Sequence, residues 1–131
     1  EAIETYDHSD IKSITINYFV NMQVEEHIDG RAKAFRLFVK EDGKEIGHIR
    51  LYLIYNDFHE GPYGLFEYIF VDPDYRGKGV GTLLVRRLIA LAKEQGCYKL
   101  IAQARRGRNG IHGWYEALGF TNHGLNFRID F

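Results

Sequence analysis

The stretch DYRGKGVG, Asp74 to Gly81, puts three glycines and two cations into eight positions between apolar runs that end at Val71 and begin at Val80. Core packing needs no such composition, but an anion does. The first N–H groups of a helix lack intrahelical partners, the helix dipole is positive there, and glycines let a ligand lie against the backbone. Glu67 is the second residue with chemistry in view, because it is the only charge in the run Leu65–Val71. A carboxylate in an apolar strand is costly unless it has a partner or a task. It is either a proton acceptor or a structural group paired with an arginine such as Arg36 or Arg50.

The elements that position these residues follow from periodicity. Ile14, Ile16, Tyr18, Val20, Met22 and Val24 alternate with polar residues and Phe19, as do Phe35, Leu37 and Val39, and then Gly47, Ile49, Leu51 and Leu53. Asp29-Gly30 and Asp42-Gly43 separate these runs, and Asp-Gly is a strong hairpin signal. A three-strand antiparallel meander is therefore expected. Leu65–Val71 reads as a central strand, apolar on both faces and stopped by Pro73. A helical stripe runs from Val80 to Gln95, with Gly96 as its stop. Lys99–Ala104 reads as a short strand parallel to Leu65–Val71, His112–Leu118 as a short helix ended by Gly119, and Asn126–Phe131 as a last strand. The expected fold is α/β (α+β): a mixed, mostly antiparallel twisted sheet with a central parallel pair and helices on its faces.

The 131 residues are expected to form one domain, 1–131, burying roughly two-thirds of the unfolded surface. A content of 45% hydrophobic and 27% charged residues is that of a globular chain, and no run approaches the ~20 apolar residues of a membrane span. No signal-peptide pattern is seen, although the chain begins at Glu1. The single Cys97 allows no intrachain disulfide and suits a cytoplasmic setting, where it reads as a small packing residue. The net charge of -1 hides an asymmetry: residues 1–74 carry 15 acids and 7 bases, residues 75–131 carry 3 acids and 10 bases. That suits an anionic ligand beside a cationic one. It argues against duplex nucleic acid as the partner of Arg105, Arg106 and Arg108.

A phosphate is the obvious anion. GxxxxGK[ST] is absent, and a dinucleotide GxGxxG fails because position 82 is Thr and Ala102-Gln103-Ala104 lacks the required acid. Arg76-Gly77-Lys78-Gly79-Val80-Gly81 resembles instead the R/Q-x-x-G-x-G/A signature of the GNAT superfamily of N-acetyltransferases. The segments FEYIFVDPDYRGKGVG and LLVRRLIALAKEQGC resemble that family's cofactor segment, and WYEALGF (Trp114–Phe120) its Y-x-x-x-G-F motif.

The resemblance implies acetyl-CoA as donor, its pyrophosphate on the backbone of Gly77, Lys78, Gly79, Val80, Gly81 and Thr82, with Arg76 in the same signature. It implies that the pantetheine arm pairs like an extra strand with Ile69, Phe70 and Val71, where a bulge would splay the parallel pair. A backbone N–H near Phe70 would then polarise the thioester carbonyl. Tyr115 falls at the position of the general acid that protonates the thiolate, and Glu67 at that of an acid that serves as base; Glu60 and His59 are second choices. No metal is implied.

Two departures shape the remaining expectations. The family's Asn seven residues before the tyrosine is Arg108 here, with Asn109 beside it as the substitute. Only about eight residues, Glu25–Ala32, separate the first two strands, where the family usually has two helices. An open acceptor site, or one walled by a second chain, follows, and a homodimer is expected. The acceptor is expected to be a cationic amine: a polyamine-like molecule, a lysine side chain or a protein N-terminus. The alternative is an acyl-CoA-binding sensor without turnover.

Overall fold

Asp42 and Gly43 both take left-handed backbone conformations, with φ of 49° and 80°, as a tight two-residue hairpin requires. They join β1 (Ala32–Glu41) to β2 (Lys44–Ile54), which pair antiparallel with Leu37 opposite Ile49 and Arg36 opposite Arg50. The structure, a computed structural model, describes residues 22–104 and 109–131. β3 (Tyr63–Val71) pairs antiparallel with β2, and β4 (Leu100–Ala102) runs parallel to β3, so the sheet order is β1-β2-β3-β4. The crossover between the parallel strands carries α1 (Val80–Glu94), and α2 (Asn109–Ala117) follows β4. The mixed, mostly antiparallel sheet with a parallel pair is the fold expected from the residues.

Period two on the strands and period 3.6 on α1 meet in one core. Ile49, Leu51 and Leu53 of β2 and Phe66 of β3 face Leu84, Val85, Leu88 and Ala92 of α1, all buried. Each fully buried Leu or Val contributes about 1.5–3 kcal/mol, and emptying the site of Leu88 by substitution with Ala costs about 2–5 kcal/mol. The helix ends where Gly96 enters the left-handed region at φ 78°. There the Cys97 N–H donates to the Ala92 carbonyl and the Gly96 N–H to the Lys93 carbonyl, each at 3.0 Å. These two bonds are a Schellman stop. Cys97 packs half-buried against the core, and burial pushes its thiol up, as suits a packing residue and not a nucleophile.

The chain divides at Gly30 into two units, Glu1–Gly30 and Arg31–Phe131. Several strand expectations change. The strand expected from Ile14 lies outside the described residues except for its last positions, Met22 to Val24, which have no regular structure. The strand expected over Lys99–Ala104 is only Leu100–Ala102. The last strand, Asn126–Phe131, is not formed: residues 121–131 are irregular and exposed. Alternation meets only half the requirement for a strand. The other half is a neighbour for the backbone groups, and this segment has none among the described residues.

Candidate active site

The parallel pair is short by construction. β3 and β4 register at Gly64–Leu100, Leu65–Ile101 and Phe66–Ala102, and no pair follows. On its other side β3 carries a bulge, since Arg50 pairs with Glu67 but His48 pairs with Phe70. Tyr68 occupies the extra position with φ 58°, left-handed for a bulky residue, and it is exposed. A bulge bends its strand and raises the local twist, so beyond Phe66 the edge of β3 parts from β4. The Asp72 N–H donates to the Ile46 carbonyl at 2.8 Å. Strand alternation therefore turns Phe70 toward β2, and Ile69 and Val71 toward the open edge. The N–H groups that flank Phe70 on the open edge are those of Ile69 and Val71. The Val71 carbonyl on that edge accepts from Arg76 Nε at 3.0 Å, and the Arg76 guanidinium lies 5.9 Å from the Phe70 ring centre.

A capped turn delivers the chain from this edge to the glycine loop. Asp72 Oδ1 accepts from the Asp74 N–H at 3.0 Å, its Oδ2 lies 3.1 Å from Lys44 Nζ, and a 3₁₀ turn, Pro73–Tyr75, follows. The Asp74 N–H, and then the Lys44 ammonium, hold the Asp72 carboxyl below the usual aspartate value. Gly77 and Gly79 have φ of 76° and 86°, and a Cβ at either would meet nothing within 4 Å. Gly79 is the N-cap of α1, with no side-chain cap and no acid in the first turn. The backbone N–H groups of Gly77 to Thr82 have no acceptor among the described residues. A row of bare donors at a positive helix end, with Lys78 beside it, fits a pyrophosphate.

On the helix side of β3, Tyr115 packs edge-on to Phe66 with ring centres 5.6 Å apart. α2 stops as α1 does, with Gly119 at φ 100°, the Gly119 N–H on the Glu116 carbonyl and the Phe120 N–H on the Tyr115 carbonyl. The spacing of Tyr115, Gly119 and Phe120 is thus a Schellman motif whose apolar contact is the Tyr115–Phe120 ring pair at 5.6 Å. Trp114 Nε1 donates to Thr82 Oγ1 at 3.1 Å and ties α2 to the first turn of α1. The Trp114 ring reaches Gly81, where an added Cβ would also lie near Val71 and Ile69. Tyr115, the edge of β3 and the glycine loop are therefore held together.

Glu67 lies on the other side of β3. It shares a row with Arg50 and Arg36, half-buried, because Phe66 beside it takes the helix side. Arg36 is engaged by Glu45 in a two-pronged pair at 2.6 and 2.7 Å, which holds Glu45 below its usual range. Neither Arg50 nor Glu67 has an ion pair or side-chain hydrogen bond among the described residues, so the Arg36 or Arg50 pairing considered for Glu67 is not formed. In the next row His48 stacks on Phe70 at 5.5 Å, with its Nδ1 buried and without a partner. A shallow hollow of about 380 Å³ opens beside the Arg50–Glu67 row, lined among others by Ala34, Tyr52, Ile54 and Leu65.

Glu60 and His59 are not brought to this place. They sit in the loop before Tyr63, with His59 stacked on Tyr98 at 3.7 Å, roughly 20 Å along β3 from Ile69 at the usual strand rise. Asn109 opens α2 but its side chain lies outside the described residues, as do Arg105, Arg106 and Arg108. The left-handed Tyr68 and the Trp114–Thr82 bond carry no signal in the residues, because both arise from tertiary packing. The described residues hold no group of three metal-ligating side chains and no helix long and apolar enough to cross a membrane.

Comparison with known proteins gives consistent relatives. Residues 5–120 match the Acetyltransferase (GNAT) family. A probable glucosamine 6-phosphate N-acetyltransferase 2 from Oryza sativa subsp. japonica is 38% identical over 71 residues, 54% of this chain and 41% of that protein. An L-methionine sulfoximine/L-methionine sulfone acetyltransferase from Pseudomonas paraeruginosa is 33% identical over 100 residues, 73% of this chain and 57% of that protein. Among solved structures, a putative acetyltransferase from Agrobacterium tumefaciens superposes with a TM-score of 0.71 at 28% identity, covering 74% of this chain and 68% of that one. The chain spans about half the length of the sequence relatives it matches.

Proposed function

The chain belongs to the acetyltransferase (GNAT) family, and from that premise we propose that it transfers an acetyl group from acetyl-CoA to a primary amine by direct attack in a ternary complex. The observation that carries this reading is the opened edge of β3 running into a row of unpartnered N–H groups, Gly77 to Thr82. Amide groups and a pyrophosphate are what such a track satisfies. Acetyl-CoA supplies an activated thioester, and the rest is the work of side chains and backbone. The N–H groups of Gly77–Thr82 hold the pyrophosphate, and Ile69 and Val71 hydrogen-bond the arm. An N–H of the same edge faces the acyl oxygen and stabilises its developing charge. Glu67 accepts the proton of the amine, which is mostly protonated at pH 7. Tyr115, reaching the splay from the other side of β3, donates a proton to the departing thiolate, as a phenol protonated at pH 7 can.

The Oryza relative is named as a probable N-acetyltransferase of glucosamine 6-phosphate, an amine, in keeping with a primary amine here. CoA release measured against a panel of primary amines tests the reading. Amine-dependent release is expected. Tight acetyl-CoA binding with no release for any amine would make the chain a sensor of the donor instead.

A further inference from the structure

Resting on the acetyl-transfer reading, we propose that the acceptor carries an oxyanion, a carboxylate or a phosphate, within a few bonds of its amine, and that Arg50 holds it. Arg50 lies directly across from Glu67, on the same face of the sheet and beside the bulge that opens the β3 edge. Residues directly opposed on a sheet have Cβ atoms about 4.5–5.5 Å apart. An amine delivered to Glu67 therefore brings its near substituents to Arg50. Arg50 is half-buried and has no counter-ion among the described residues. Its other neighbour in the row, Arg36, repeats its charge, and the one acid that answers this charge, Glu45, is taken by Arg36 in both of its oxygens. Glu67 is the acid directly across the strands from Arg50, and no ion pair joins the two. Once Glu67 faces an ammonium, Arg50 is left with an unanswered charge, and a guanidinium answers best to a planar or tetrahedral oxyanion.

A zwitterionic acceptor matches the Glu67–Arg50 pair charge for charge. A polyamine would set another cation against Arg50, and a lysine side chain or a chain N-terminus offers no nearby oxyanion. The acidic balance of residues 1–74 pointed to a cationic acceptor, but charges spread over a surface are screened within about 10 Å, and the local row decides.

The test uses matched acceptors that differ only in the oxyanion: an α-amino acid against its amide, and a 2-amino sugar against its 6-phosphate. CoA release is followed for the wild type, Arg50→Gln and Arg50→Lys. For at least one pair the oxyanion is expected to lower KM about 10- to 100-fold, the range of a charge-assisted hydrogen bond. The pair that shows it tells carboxylate from phosphate. Arg50→Gln is expected to remove the preference while the acetyl-CoA-induced rise in melting temperature persists, and Arg50→Lys to restore part of it. A wild type that takes the neutral members equally well, or an Arg50→Gln enzyme that keeps the preference, overturns the proposal. If no amine of either kind releases CoA, acetyl transfer itself fails, and binding decides the oxyanion site alone. The proposal then stands if the oxyanion member raises the wild-type melting temperature and not that of Arg50→Gln, and falls if the two proteins respond alike.

Discussion

The Phe120 N–H donates to the carbonyl of Tyr115 at 3.0 Å, so the residue proposed to give a proton is also the one whose backbone closes its helix. The phenol is thereby held by the helix stop and by ring contacts with Phe66 and Phe120, which a phenylalanine keeps. Tyr115→Phe should keep the melting temperature within a few degrees and the acetyl-CoA affinity unchanged, yet lower kcat by ~10²-fold or more. Steady-state kinetics with a calorimetric control checks this. Normal turnover would reduce Tyr115 to packing.

Glu67 has no ion pair to lose among the described residues, so Glu67→Gln tests chemistry with little structural cost. The acidic limb of the kcat/KM profile should disappear, with the remaining rate rising as the free amine deprotonates. An unchanged profile would hand the proton to solvent, since Glu60 and His59 lie at the far end of β3.

Gly79 has φ 86° with open space around it. A β-branched residue there is strained before any ligand arrives, at about 1–3 kcal/mol, and its side chain would stand where the anion comes in. Gly79→Val should lower the melting temperature and abolish its rise with acetyl-CoA. In the wild type that rise corresponds to about 2.7 kcal/mol at a hundredfold excess over Kd. Absence of any rise in the wild type would remove the cofactor assignment.

Asp72 is held below the ordinary aspartate value of 3.8, first by the Asp74 N–H and then by Lys44. A carboxyl depressed on folding adds stability that is complete above its unfolded value and lost as pH falls through its folded one. The melting temperature should therefore fall from about pH 4 downward. Asp72→Asn, which keeps an oxygen for the Asp74 N–H but not the charge, should flatten that part of the curve.

Leu125, Phe127, Ile129 and Phe131 are between 67% and 113% exposed, and Phe38 is 49% exposed beneath the cations of Arg36 and Lys40. Apolar rows of this size invite association, and a twofold pair is its commonest form. We expect light scattering at micromolar concentration to return about 30 kDa, twice the 15.2 kDa of the chain. A mass near 15 kDa with full activity would show that one chain suffices.

What could be read from residues alone was whatever is decided locally. Asp42-Gly43, Gly96 and Gly119 announced their turns because few other residues tolerate positive φ. The glycine loop could be read as a candidate anion site because its neighbours in the chain are its neighbours in space. Tyr68 gave no warning, since a tyrosine is driven left-handed only by the strands on either side. The run Asn126–Phe131 misled for the converse reason: it has the pattern of a strand and no described partner. Glu67 stood out as a lone charge, but its place across from Arg50 needed the register of β2 on β3.

The open edge of β3 poses a hazard that the fold answers. Bare backbone along Ile69–Val71 is a template for any extended segment of another molecule, which is how fibrils begin. A full strand needs several consecutive flat positions. Here Tyr68 twists the row at one end and Arg76 covers the Val71 carbonyl at the other. Together Tyr68 and Arg76 shorten the template that this edge offers to an extended segment of another molecule.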